Sequence, residues 1–247
     1  MKCIKCGVFA VAAMSWIALS CQTTPPPETA ALPEVAPSPQ LFVPASFVVR
    51  IQHEKGNYAD LFGPDSYAVW VGPEVTAMKR EKATEAGETI PPQFDKIAAS
   101  VAEDYLVFEL HIESAFSDSS IAYDAVAFRG IDVYLLGPEG RLIPPIQQII
   151  GTPVEEENRE ALKLFRRTNI VIFNKVDPLG GGLALAPGMP AAKLVLEGHG
   201  SNFTFEWPTA APGTTPTRPS GSEALMAVKV GFKDFFEKTR RLAHIFD

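Results

Sequence analysis

Beyond Cys21 the chain has no cysteine; all three, Cys3, Cys6 and Cys21, lie near the N-terminus. The long remainder therefore forms no internal disulfide and offers no thiolate as nucleophile or zinc ligand. A domain of this size can rest on its apolar core alone. Positive charge is also scarce, with 22 Lys and Arg against 29 Asp and Glu and a net charge of −7. No basic run with interleaved aromatics offsets that balance, so a phosphate backbone would be repelled and nucleic acid is not an expected partner. The usual catalytic signatures are missing as well. Gly180-Gly181-Gly182 runs on into Leu183-Ala184 without the lysine-serine pair of a phosphate loop. Gly198-His199-Gly200-Ser201-Asn202 only approaches the Gly-x-Ser-x-Gly elbow, and His53-Glu54 lacks the second histidine of a zinc helix. No cofactor, metal or catalytic constellation is expected from these patterns.

What is present begins with an address. Lys2 and Lys5 precede an uncharged, mostly apolar stretch from Gly7 to Leu19, then Ser20 and Cys21. That is the order of a secretory signal, and the apolar stretch is shorter than the about 20 residues of a spanning helix. Ala18-Leu19-Ser20-Cys21 resembles the bacterial lipobox, with leucine one place later than in its commonest form. The resemblance implies cleavage between Ser20 and Cys21, a diacylglyceryl thioether on Cys21, and a lipoprotein held at a membrane by its acyl chains. With Gln22 rather than aspartate next, it implies the outer membrane, facing periplasm or surface. Loss of Lys2 and Lys5 would leave 20 positive charges against 29 negative, or −9. Each buried methylene adds about 0.8 kcal/mol, so several acyl chains anchor stably where one does not.

Residues 22–40 contain six prolines. Proline removes backbone donors and favours extended neighbours, so residues 21–40 read as a lipidated, semi-rigid tether between the signal peptide (1–20) and a domain at 41–247. Within that domain period-two alternation dominates. In Tyr105–Ser114, Leu106, Phe108, Leu110 and Ile112 share one face, whereas Glu109, His111 and Glu113 share the other, read as solvated. Asn202–Trp207 repeats the pattern with Phe203, Phe205 and Trp207 inward. Shorter runs fit at Phe47–Gln52, Tyr67–Val71, Ile131–Leu136, Ile170–Phe173 and Lys193–Glu197. Gly137-Pro138-Glu139-Gly140 and Gly198-His199-Gly200-Ser201 read as hairpin turns.

Thr152-Pro153-Val154-Glu155 has the form of a capping box, and acidic Glu155–Glu157 followed by basic Lys163, Arg166 and Arg167 suits a helix dipole. The expectation is one inserted helix at about 153–165. Pro208–Ser222 (208-222) reads as a mobile loop. The segment after it reads as a strand to about Lys233 followed by a short helix. The fold class expected is mainly β: an antiparallel sandwich with one inserted helix and a short C-terminal helix. Its strand rhythm over 46–207 resembles that of immunoglobulin-like domains, without their Cys…Trp…Cys core.

Candidate chemistry is sparse. His111 between Glu109 and Glu113 offers a conceivable metal set, though alternating charges usually mark a hydrated face. Asp118 and Asp124 flank a Ser-rich stretch that could hold calcium. His199 beside Ser201 is a conceivable base, while His53 and His244 stand apart. Trp70 is the aromatic most expected to be exposed. The leading expectation is a non-catalytic binding or assembly module, tethered to the membrane through its lipid and meeting other envelope proteins. An envelope hydrolase using His111, His199, Asp118 and Asp124 from distant loops is the alternative.

Overall fold

The computed structural model describes residues 42–157, 163–211 and 221–228. The lipobox, the tether and His244 lie outside them. Strand β4 (Tyr105–Ser114) shows why alternation organises the fold, because it runs through the centre of one sheet with each face turned to a different apolar layer. That sheet runs in the order β1 (Val48–Arg50), β3 (Tyr67–Trp70), β4, β9 (Lys163–Asn174) and β7 (Gln147–Ile150), with β8 (Val154–Glu157) also on β9. The second sheet runs β2 (Gln52–Gly56), β11 (Ser201–Pro208), β10 (Ala191–Gly198), β5 (Ile131–Leu136) and β6 (Leu142–Ile143). All pairings are antiparallel. The Phe47–Gln52 run is divided at Ile51, where the chain leaves the first sheet as β1 and enters the second as β2.

Between the sheets lies the principal core. Leu106, Phe108, Leu110 and Ile112 of β4 meet Leu194 and Leu196 of β10 and Phe203, Phe205 and Trp207 of β11. Phe108 sits at its centre, with ring centroids 4.9 Å from Trp207 and 5.3 Å from Trp70. Trp70 is thus not exposed: it is buried, stacked at 5.4 Å on Phe42.

Three helices build a third layer on the other face of the first sheet. Helices α1 (Pro73–Glu85) and α2 (Phe94–Asp104) occupy the interval between β3 and β4, for which period two predicts nothing. Proline at the first position and Glu74 in the first turn start α1; Gly87, at φ 72, follows its end. Val75 and Met78 of α1, Phe94 and Val101 of α2, and Ala227 of α4 (Gly221–Val228) pack over Val69, Val107, Ile170 and Ile172. Buried on both faces, Ile170–Phe173 forms a continuous apolar run rather than an alternating one.

Where a helix was expected at 153–165, Val154–Glu157 and the start of β9 are paired strands, with residues 158–162 outside the described residues. Strand β8 pairs with the start of β9, Val154 opposite Arg166 and Glu156 opposite Leu164. The acidic-then-basic order serves cross-strand ion pairs, Lys163–Glu155 at 2.9 Å and Arg166–Glu156 at 2.8 Å. Near the C-terminus, Gly221–Val228 is helical where a strand was expected, and the loop expected at Pro208–Ser222 ends by Gly221. Residues 212–220 and those beyond Val228 lie outside the described residues.

Candidate functional site

The face of β4 that bears Glu109 and His111 is covered by α1, not solvated. In α1 the residues Val75, Met78, Lys79 and Ala83 form one buried stripe at three- and four-residue spacing, which carries a lysine into the apolar layer. Lys79 Nζ lies 3.1 Å from Glu109 Oε2, and both side chains are 0% exposed. His111 Nε2 stands 3.6 Å from the same oxygen. Nδ1 of His111 is 3.1 Å from the Thr168 hydroxyl of β9. Tyr67 of β3 stacks on the imidazole at 4.4 Å and 12°. The register explains the grouping: Tyr67 and Thr168 are the direct cross-strand neighbours of His111 on either side.

Electrostatics follows from this enclosure. Burial works against ionisation of Glu109, but the Lys79 ammonium and the His111 ring outweigh it and hold the carboxyl below its ordinary 4.5. Glu109 Oε1 has no hydrogen-bond donor among the described residues. The Tyr67 phenol is pushed above its ordinary range, first by burial and then by the Glu109 charge. With the pair sealed beneath α1, a substrate in solution has no route to either charge. The chemistry open to it is structural, fixing where α1 sits on the sheet.

The other candidates are dispersed. Asp118 is the N-cap of α3 (Ser119–Val126), accepting from the Ser120 hydroxyl and from the Ser120 and Ile121 N–H groups, and those bonds, the hydroxyl's first, hold its carboxyl below the usual range. Asp124, in the same helix, binds Arg129 at 3.1 Å. His199, at φ 49 in the β10–β11 turn, has Nε2 3.3 Å from the Arg129 carbonyl oxygen. Asp124 and His199 therefore flank Arg129 at one end of the sandwich, whereas His111 lies on the helix-covered face of the other sheet. His53 packs against Phe203 at 5.1 Å. Glu113, the other carboxylate of the conceivable metal set around His111, pairs with Arg166 at 3.2 Å. Among the described residues no group of three or more His, Cys, Asp or Glu side chains is placed to hold a metal. A gap under α1 and α2, lined by Val71, Phe94, Ile97, Ala98, Val101 and Val107 with Thr76, offers dispersion contacts and no acid-base group.

Two features escape period-two reading. The helical spacing of Val75, Met78 and Ala83 is the signal of the covering helix, and Lys79 on the same stripe obscures it. Asp177, buried in the loop after β9 and 2.5 Å from Arg141, has only the Gly-rich run after it as a mark. No family model matches the sequence, and no curated protein or solved structure matches it.

Proposed function

We propose that the chain is a lipid-anchored lipoprotein of the bacterial envelope whose β-sandwich serves as a binding or assembly module. The observation that carries this reading is the order along the sequence: a lipobox-like Ala18–Cys21, a proline-rich spacer, and a folded unit whose described residues begin at Phe42. The fate of the candidate polar groups supports the module over a hydrolase. Glu109 is spent on Lys79, Asp118 on a helix cap and Asp124 on Arg129. Each has a structural partner, and the set is not convergent.

The test is Cys21→Ser in the full chain. Wild type should sediment with membranes and incorporate labelled palmitate, and the variant should do neither. An unlabelled wild type together with a membrane-bound variant would overturn the anchor. For the module, a hydrolase activity abolished by His199→Ala or Asp124→Ala would replace this reading with the enzymatic one.

A further inference from the structure

Strand β7 is an edge of the first sheet, paired with β9 alone among the described strands. Sheet edges are usually blunted by charge, because their unpaired backbone groups accept any extended chain. Of the other edges, β1 ends in Arg50, β2 carries Glu54 and Lys55, and β8 carries Glu155 and Glu156, whereas the two-residue β6 (Leu142–Ile143) at the edge of the second sheet is too short to offer much of a template. From Leu142 to Val154, in contrast, no Asp, Glu, Lys or Arg occurs. Prolines bracket β7 at Pro144, Pro145 and Pro153 without interrupting it.

The exposed residues of this segment have a symmetry of their own. Every even-numbered residue from Leu142 to Val154 is exposed, whereas Ile143 and Ile149 are buried. Four of the exposed residues are large and apolar: Leu142 at 42%, Ile146 at 39%, Ile150 at 40% and Val154 at 52%. About Gln148, Ile146 and Ile150 stand symmetrically two residues to either side along the β7 edge; Leu142 and Val154, six residues away, belong to β6 of the second sheet and to β8.

We infer that β7 pairs antiparallel with β7 of a second copy, about a two-fold axis at Gln148. A two-fold perpendicular to the sheet keeps each face in place, so residues opposite one another must have the same parity. The symmetry about Gln148 satisfies that condition: Ile146 stands opposite the partner's Ile150, Ile150 opposite the partner's Ile146, and Gln148 opposite the partner's Gln148. Apolar meets apolar at both flanks, with an amide pair on the axis. A neutral segment is also where two strongly acidic chains can approach without like charges meeting.

Sedimentation velocity of the full chain, kept in mild detergent over a concentration series, tests this. Wild type should show a reversible dimer. Ile150→Lys and Ile146→Glu should each weaken it by about tenfold or more, because each sets a charge against an apolar partner. Circular dichroism should show both variants folded, since both positions are exposed. An equimolar mixture of the two variants should regain the dimer, one flank now pairing the new glutamate with the new lysine and the other keeping isoleucine on isoleucine. Gln148→Cys should form an interchain disulfide under mild oxidation, and Thr152→Cys should not. A wild type that stays monomeric, a dimer indifferent to both substitutions, or no recovery on mixing would overturn the proposal.

Discussion

Lys79 on α1 and Glu109 on β4 form an ion pair 3.1 Å apart, beneath a helix and with neither side chain exposed. Removing one partner strands the other's charge in an apolar layer, which costs about 3–5 kcal/mol, whereas replacing both with apolar residues is often neutral or stabilising. Glu109→Leu should therefore lower stability by about 3–5 kcal/mol. The double variant Lys79→Met, Glu109→Leu should recover most of that loss. Urea melts of the four species in one cycle measure this directly. Additive losses would show that the two charges do not depend on each other.

The same site predicts an acid limb. Because folding lowers the Glu109 pKa below its ordinary 4.5, the unfolded chain binds a proton that the folded chain refuses. The stabilisation is complete above 4.5 and is lost as pH falls below it, through the folded-state value. Glu109→Gln should flatten that part of the profile. Tyr67 acts with the opposite sign: its raised pKa contributes stability that is present below the ordinary 10.0 and lost as pH rises above it. Urea midpoints across pH, with Tyr67→Phe for the alkaline side, check both. An unchanged acid slope in Glu109→Gln would assign acid sensitivity to other carboxylates.

Alternation told correctly which residues oppose one another, and less about what covers them. Tyr105–Ser114 and Ile131–Leu136 are strands with the bounds their periodicity predicts, and Gly198–Ser201 makes the turn it predicts. Phe108 and Glu109 do point to opposite faces, but expecting Glu109 to be hydrated assumed a two-layer sandwich. The third layer was illegible because α1 buries a lysine inside its stripe, and a cation there conceals an otherwise apolar pattern. At 153–165 the charges were read correctly and their geometry was not. Acid followed by base suits a helix dipole and paired strands equally, and sequence order alone does not separate them. Glu109, His111 and Glu113 do not form a metal set, because the register supplies Thr168 and Tyr67 as the neighbours of His111, while Arg166 takes Glu113.

At the centre of the sandwich Phe108 is 0% exposed, between Trp70, Trp207 and Phe173. Phe108→Ala should cost about 3–5 kcal/mol, through lost burial and the cavity left among rings too rigid to collapse. That is a large part of the 5–15 kcal/mol typical of a whole domain, as an order of magnitude. Phe108→Leu should cost less, since it keeps most of the volume. Denaturant melts rank the two. Equal losses would mean that ring packing, not volume, sets the cost.

The β10–β11 hairpin separates two reasons for glycine. Gly200, at φ 72, occupies the left-handed region, and a Cβ there would come no closer than 4.0 Å to any neighbour, Asn57 Nδ2. Gly200→Ala should therefore cost only the backbone penalty, about 1–2 kcal/mol, and Gly200→Asn less, because asparagine tolerates that region. Gly198 is constrained by space. A Cβ on it would stand 2.2 Å from the Gly130 carbonyl oxygen and 2.9 Å from the Ile131 Cα, in the backbone that leads into β5. Relief requires moving that backbone, at the point where Gly198 pairs with Ile131 to close the β10–β5 ladder. Gly198→Ala should thus reach or exceed the upper end of the about 1–3 kcal/mol typical of overpacking, and asparagine should be worse than alanine. Thermal or urea melts of the four variants give the order. If Gly198→Ala were milder than Gly200→Ala, or if asparagine were tolerated at Gly198, β10 and the chain entering β5 would not approach as closely as described.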